Sequence, residues 1–223
     1  MLDGRPLEAD LPTLMERTPY DRAGTRLVLT ANYYARRGYA VVLQDVRGRF
    51  GSGGTFHHNL NVPDEGLDGR DTHAWIVQQS WSNGRIGTFG GSFTAANQQA
   101  AALRGAVGLQ AQVLRDCGVN YYRRFFRYHG AFSLTGTLTF CTHQGENGRE
   151  ARANPAVRKA LHDMYRNLGE WIDRMPIGAG ESPLAQAPEY EAIFLKTMTE
   201  GDFTDYWKGP GVLIEGRWDE YPK

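Results

Sequence analysis

Ser92 lies where a predicted strand turns into a predicted helix, a position in which a side chain can act as a nucleophile. The strand is residues 85–89, Gly90 and Gly91 follow it, and an alanine-rich helix is expected over 95–103. A sharp strand-to-helix turn holds a serine at strained backbone angles. It also places Oγ at the helix N-terminus, where the helix dipole and N–H groups stabilise an oxyanion. The spacing therefore predicts acyl transfer through Ser92, with an ordinary glycine turn as the alternative.

The turn departs at one position from the G-x-S-x-G pattern of such nucleophile-bearing turns. Gly90 stands two residues before Ser92, but Thr94 stands two residues after it, where a second glycine is expected. Both positions should be small because the chain passes close to itself in the turn. The match to the pattern is therefore incomplete.

A serine nucleophile needs a base to take its proton and a carboxylate to orient that base. When such a turn carries the serine, the acid and then the histidine follow it in the chain. Three histidines precede Ser92, and three fall in a segment that we interpret below as an inserted helical cap. The histidines are His57, His58, His73, His129, His143 and His162. The sequence therefore identifies no histidine at the expected place.

The first half of the chain alternates between strand and helix patterns. Residues 38–45 form a short apolar run typical of a buried strand, and a helix is expected over 26–37 before it. A second helix is expected over 68–80, and a turn at 82–84 precedes the strand that leads to Ser92. This order predicts parallel βαβ units and an α/β fold.

The second half has a different character. Residues 120–128 are aromatic and basic, helical spacing covers 155–175 and 189–198, and no strong strand pattern occurs over 140–206. We expect a helical cap inserted into the α/β domain. The predicted division is 1–115 for the first part of that domain, 116–206 for the cap and 207–223 for a return segment.

Composition excludes several classes of function. The 223 residues carry 25 basic and 25 acidic side chains, which argues against a nucleic-acid partner or a polybasic membrane surface. No apolar run is long enough to span a membrane, and the first residues lack the apolar core of a signal peptide. Two cysteines, Cys117 and Cys141, cannot make a disulfide scaffold and suit a reducing compartment. We therefore expect a cytoplasmic location.

Three other sequence patterns suggest a phosphate, metal or nucleobase site, but the sequence does not support any of the three. The glycines from Gly48 to Gly54 could hold a phosphate, yet they lack the spacing of known phosphate loops. Neither the His57-His58 pair nor Cys141 with His143 has a second pair of metal ligands at structural spacing. The aromatic and arginine run could stack nucleobases, but the neutral chain favours packing in the cap. We therefore predict no cofactor and no metal site.

Three blocks of sequence resemble the X-prolyl dipeptidyl-peptidase and cocaine-esterase group of α/β-hydrolases, which includes α-amino-acid ester hydrolases. The blocks are 17–22, 37–49 with 51–54, and 68–75 leading through 81–87 to 90–93; residues 202–208 also resemble the end of that family's cap. The resemblance implies a serine hydrolase acting on a small ester, amide or X-Pro dipeptide substrate.

The same resemblance assigns site residues. It implies that Ser92 is the nucleophile, and that the Phe93 backbone N–H and the Tyr20 hydroxyl hold the oxyanion. The family commonly has Tyr after its serine and Gly two positions further on, where this chain has Phe93 and Ala95. A tyrosine in a turn after Pro19 is the alternative reading of Tyr20.

The end of the chain allows two alignments with this family. In the first alignment, residues 211–219 resemble the strand that presents the acid of the catalytic triad, and Asp219 would be that acid. In the second alignment, the same residues resemble the segment that precedes this strand in the family. We favour the second alignment. Under either alignment the histidine and the family's β-sandwich domain are missing, and the opening hairpin after residues 1–10 looks shortened. We therefore expect a truncated member, either the first catalytic portion of a hydrolase or a non-catalytic remnant.

Overall fold

The computed structural model describes residues 10–56, 63–209 and 213–222. Three features noted in the sequence fall outside these ranges in whole or in part. They are the opening residues 1–9, the pair His57 and His58, and the start of the segment 211–219.

A parallel four-stranded sheet forms the first part of the chain. Its strands are β1 (Leu11–Thr18), β2 (Ala40–Asp45), β3 (Ser82–Gly91) and β4 (Leu109–Arg115). They lie in the order β2-β1-β3-β4, and every neighbouring pair is parallel. The carboxyl ends of all four strands therefore meet at one edge, and the prediction of an α/β fold is confirmed.

Two of these strands were not predicted from the sequence. β1 lies in the interior of the sheet although it contains Glu16 and Arg17, both buried. The Arg17 guanidinium donates to the Gln44 side chain at 2.8 Å and to the Glu65 carbonyl at 2.8 Å. β4 is an edge strand with exposed side chains. Its sequence mixes polar and apolar residues, so it lacks the apolar run that would predict a buried strand. The expected turn at 82–84 falls inside β3, where the register with β1 is broken after Ser82 and Gly84 has a φ of +77°.

Three helices accompany the sheet, close to their predicted positions. They are α1 (Thr25–Ala35), α2 (Pro63–Ile76) and α3 (Phe93–Leu103). Every residue of α3 is buried, as its run of small alanines allows. α2 begins five residues before its predicted start, and α3 begins directly after Ser92.

The second half is largely helical. After α4 (Tyr121–Arg124) comes a short hairpin, absent from the prediction, of β5 (Arg127–Tyr128) and β6 (Ala131–Phe132). The remaining helices are α5 (Leu134–Gly145), α6 (Arg149–Ala153), α7 (Pro155–Arg166), α8 (Leu168–Ile172) and α9 (Pro188–Thr199), with 3₁₀ turns at Pro183–Gln186, Asp205–Lys208 and Trp218–Glu220. We call residues 134–199 the helical unit.

One apolar core connects this helical unit to the sheet domain. Leu138, Leu161 and Phe194 from the helices belong to the same buried cluster as Phe56 and Phe93 from the first half. Phe56 is the link, because its ring centroid lies 5.6 Å from that of Phe93 and 6.3 Å from that of Tyr190 on α9. The residue after Ser92 thus shares a core with the helical unit and is connected to it through Phe56.

Among the helices that the structure describes, none is both long and apolar enough to cross a membrane.

Candidate active site

Ser92 occupies a strained turn between β3 and α3. Its φ of 56° and ψ of −122° lie outside the regions that side-chain-bearing residues ordinarily adopt. Such strain costs on the order of 1–3 kcal/mol and is concentrated at functional sites. The backbone holds the turn in place: Ser92 N–H donates to the Arg115 carbonyl at 2.9 Å, and the Ser92 carbonyl accepts from Ala95 and Ala96 at 3.0 Å. The side chain itself is exposed.

Thr94 fits into the turn because Gly90 has no side chain. Gly90 has a φ of +150°, and a Cβ built on it would lie 2.1 Å from Thr94 Oγ1 and 2.7 Å from Thr94 Cβ. The Thr94 hydroxyl also donates to the Gly91 carbonyl at 2.8 Å. The residue that departs from the expected glycine therefore fills the space beside Gly90 and fastens the turn.

Gly90→Ala should destabilise the protein by more than its backbone strain, because the new methyl group would overlap the Thr94 side chain. Gly105→Ala is the matched control, since Gly105 also has a positive φ, +72°, but nothing lies within 4 Å of its added Cβ. We expect the Gly90 variant to lose about 1–3 kcal/mol more in urea unfolding. Thr94→Ala should recover part of this difference, and equal losses at the two glycines would contradict the close contact.

Tyr20 lies next to Ser92 although 72 residues separate them in the chain. β1 and β3 are neighbours, so the loop that follows Thr18 reaches the turn that follows Gly91. The Tyr20 hydroxyl lies 3.4 Å from Ser92 Oγ, and its backbone N–H donates to Thr18 Oγ1 at 3.0 Å. The hydroxyl contact is longer than an ordinary O–H···O bond.

A pocket of about 340 Å³ opens over these two side chains. Four charged residues that the sequence did not single out line it with them: Glu16, Arg26, Arg115 and Asp116. Burial raises the pKa of Glu16, against the opposing effects of the two arginines and a hydrogen bond with Thr94. Glu16 and Asp116 stand at the carboxyl ends of β1 and β4, so knowledge of the strand order would have been needed to find them.

The histidines that the structure describes lie away from this pocket. His73 is buried on α2, with Nδ1 2.9 Å from the Val107 carbonyl oxygen. His143 and His162 both face Glu146, at 3.2 and 2.9 Å, and His129 lies in the hairpin turn with a φ of 52°. None of these four lines the pocket of Ser92. The described ranges contain no group of three or more His, Cys, Asp or Glu that could hold a metal ion.

The buried His73 should make folding depend on pH. Burial lowers the pKa of His73, with a smaller contribution from the charge of Arg17, while the bond to Val107 opposes the shift. The unfolded chain then binds a proton more readily, so stability is complete above about pH 6.5 and is lost as the pH falls below it, at up to about 1.4 kcal/mol per pH unit.

We expect His73→Gln to flatten this dependence, because Gln keeps a donor for Val107 and does not titrate. Urea unfolding at pH 7.5, 6.5 and 5.5 measures the effect, and His129→Gln, at an exposed site, is the control. An unchanged pH slope in His73→Gln would contradict the assignment.

Asp219 lies outside the Ser92 pocket. It lies exposed in the 3₁₀ turn Trp218–Glu220, and it is not among the residues that line the Ser92 pocket.

Comparison with known proteins places the chain in a family. A model of the X-Pro dipeptidyl-peptidase (S15) family matches residues 5–222. The chain belongs to this family. It is also 31% identical over 202 residues to the cocaine esterase of Rhodococcus sp. (strain MB1 Bresler), which confirms the resemblance seen in the sequence blocks.

Solved structures share the fold at lower identity. An aminopeptidase from a marine sediment archaeon, Thaumarchaeota archaeon, superposes with a TM-score of 0.67 and 20% identity over 96% of this chain. An α-amino acid ester hydrolase gives the same TM-score and coverage at 18% identity, and a CocE/NonD family hydrolase from Staphylococcus aureus gives 0.62 at 19% identity over 93% of this chain. At these identities the likeness shows the α/β fold alone.

The chain spans about a third of the length of these proteins. It covers 34% of the cocaine esterase and 37% of both the archaeal aminopeptidase and the ester hydrolase. The relatives in the family are hydrolases, so the chain belongs to a family of enzymes.

Proposed function

We propose that this protein is a serine hydrolase in which Ser92 attacks the carbonyl carbon of an ester or amide. The observation that carries the proposal is the pairing of a strained, exposed serine at a strand-to-helix turn with a tyrosine hydroxyl 3.4 Å from its Oγ. A sharp strand-to-helix turn that exposes a nucleophile holds it at strained backbone angles of this kind, which supports the proposal.

The reaction follows from the placement of these groups. As Ser92 Oγ bonds to the carbonyl carbon, its proton passes to a base, and the carbonyl oxygen becomes an oxyanion. The Tyr20 hydroxyl and the Phe93 backbone N–H donate to that oxyanion. The protonated base then gives its proton to the departing alcohol or amine, and water releases the acyl group by the same steps.

The base is proposed to lie outside the described residues, since none of the four described histidines lines the pocket. The helical unit is proposed to act as a cap that shapes the substrate pocket. Its buried contact with Phe93, through Phe56, supports this role.

The substrate is proposed to be a small ester, an amide or a short peptide of the X-Pro type. The names of the relatives support this range, because they include an esterase, an aminopeptidase, an amino acid ester hydrolase and the X-Pro dipeptidyl-peptidase family itself. A pocket of about 340 Å³ beside Ser92 suits a small acyl group.

The test is covalent labelling of the gene product, as it is expressed, with a fluorophosphonate. We expect one equivalent of label on the peptide that contains Ser92, and turnover of p-nitrophenyl esters or X-Pro p-nitroanilides. Label on a different residue, or turnover without label at Ser92, would overturn the proposal.

A second candidate is a protein that binds such molecules without turning them over. It is favoured by the position of the described histidines, because a serine without its base retains only a small residual rate. Binding of a non-hydrolysable ester analogue by calorimetry, with neither labelling nor turnover, would favour this candidate.

A further inference from the structure

A buried arginine connects the loop of Tyr20 to the helical unit. Arg49, in the loop after β2, is 2% exposed. Its Nε donates to the carbonyl of Pro19, the residue before Tyr20, at 3.0 Å. Its Nη1 donates to the hydroxyl of Tyr190 on α9, also at 3.0 Å. One guanidinium thus bridges the two parts of the protein.

The surroundings of Arg49 hold the guanidinium without a close carboxylate. Its Cζ lies 5.3 Å from the ring centroid of Phe50 and 5.1 Å from that of Phe56. Within the part of the chain that the structure describes, Arg49 has no ion pair within 4 Å, although its charge acts from further away on the carboxyl of Glu189 and opposes the effect of burial on that group's pKa. Burial of a charge without a close ionic partner is costly. A neutral side chain would fill the same space without the free-energy cost of desolvating a guanidinium. Packing alone therefore does not explain an arginine at this position.

The bond to Pro19 bears directly on Tyr20, because the loop that carries Tyr20 is held on both sides. On one side Arg49 holds the Pro19 carbonyl; on the other, the carboxylate of Asp45 accepts from the Arg22 backbone N–H at 2.8 Å. Asp45 is 2% exposed and also accepts from the Gly51 backbone N–H at 3.1 Å. The last residue of β2 and the loop after it therefore fix the backbone on each side of Tyr20.

The bond to Tyr190 brings in the helical unit. Tyr190 is fully buried, and burial raises the pKa of its phenol, so the hydroxyl stays neutral and accepts from Arg49. A shift of α9 would move this acceptor and, through the planar guanidinium, the Pro19 carbonyl. The two nitrogens that donate are fixed relative to each other, which a lysine cannot reproduce.

We propose that Arg49 is a positioning residue: its guanidinium joins the Pro19 carbonyl to the Tyr190 hydroxyl and holds the Tyr20 hydroxyl at Ser92 only while the helical unit is seated. This inference rests on the proposed function, because it assumes that Tyr20 serves the reaction at Ser92. Through Arg49, substrate that contacts the helical unit would change the position of the Tyr20 hydroxyl, the proposed oxyanion donor.

The first test compares Arg49→Met in two backgrounds, the parent and Tyr20→Phe. The measured quantity is the second-order rate constant for fluorophosphonate labelling of Ser92, together with kcat and KM for an ester. A misplacement of about 1 Å at a reacting group costs on the order of 100-fold. We expect Arg49→Met to slow labelling by about 10- to 100-fold in the parent, with kcat lowered and KM little changed.

In the Tyr20→Phe background the same substitution should have almost no further effect, since the hydroxyl that Arg49 positions is gone. Equal slowing in both backgrounds would mean that Arg49 only supports the fold, and would overturn the proposal.

The labelling rate of Arg49→Lys should lie between those of the parent and of Arg49→Met. Tyr190→Phe should slow labelling less than Arg49→Met does. The double variant should be labelled no more slowly than Arg49→Met alone. The control is Tyr165→Phe on α7, where the tyrosine ring lies 5.4 Å from that of His143.

The second test does not depend on activity. Hydrogen exchange by mass spectrometry reports the amides of Tyr20 and Arg22, which bond to Thr18 and Asp45. We expect faster exchange over residues 19–24 in Arg49→Met, and to a smaller degree in Tyr190→Phe, with unchanged exchange in β3. If exchange over 19–24 is unchanged in both variants, the proposal is wrong whatever the labelling shows.

The two tests separate the inference from the proposed function. A parent protein that is not labelled at Ser92 refutes the proposed function, while the exchange experiment still decides whether Arg49 holds the loop. If Arg49→Met does not fold, Arg49→Lys and Tyr190→Phe, which alter fewer atoms, answer the same question.

Discussion

Ser92→Ala should abolish fluorophosphonate labelling and lower ester turnover by a factor on the order of 10⁶, the loss observed when a hydrolase loses its catalytic serine. The reason is that the substitution removes the Oγ that bonds to the carbonyl carbon. The strained backbone, held by the Arg115 carbonyl and by α3, does not depend on that atom. The substrate should therefore still bind, and the loss should appear in kcat.

The matched control for this change is Ser133→Ala. Ser133 also precedes a helix, α5, and its side chain makes no capping hydrogen bond there. It should retain full activity and labelling. Substantial labelling or turnover in Ser92→Ala would place the nucleophile elsewhere and refute the proposed function.

Tyr20→Phe should lower kcat by about 10²–10³-fold and change KM little, which is the effect of removing one oxyanion donor. The phenyl ring keeps the volume of the side chain, and the backbone contacts of residue 20 with Thr18 are unchanged because they involve the peptide N–H. What is lost is the hydroxyl that lies 3.4 Å from Ser92 Oγ. The Phe93 backbone N–H remains as the other donor, so activity should be reduced and not abolished.

Steady-state kinetics on an ester measures this change, with Tyr33→Phe on the exposed face of α1 as the control. A Tyr20→Phe enzyme with a parental kcat would show that the hydroxyl does not serve the oxyanion. A raised KM with unchanged kcat would instead assign Tyr20 to substrate binding.

The local pattern around Ser92 was sufficient to predict the turn and the elements on both sides of it. A glycine pair after an apolar stretch and a run of alanines are short-range signals, because they reflect backbone freedom and helix propensity within a few residues. The predicted strand 85–89 and helix 95–103 correspond to β3 and α3, each longer than expected. The role of Thr94 could not be predicted from such short-range signals, because Thr94 fits into the turn only through its contact with Gly90.

β1 shows why other parts of the fold were missed. Its sequence contains a proline, a glutamate and an arginine, which argue against an interior strand when the sequence is read alone. Arg17 is satisfied by Gln44 on β2 and by the Glu65 carbonyl on α2, partners far away in the chain. Such compensation exists only after the elements pack.

The amino-acid sequence by itself determined the fold class, the family and the turn that carries Ser92, because these depend on local patterns and on blocks of residues. Only the tertiary structure decided what surrounds that serine. The order of the strands brings Tyr20 to it and gathers Glu16, Arg115 and Asp116 around one pocket. The packing of α9 against the loop after β2 places Arg49 between Pro19 and Tyr190. These contacts join residues up to 141 positions apart, and no short-range pattern encodes a neighbour at that distance.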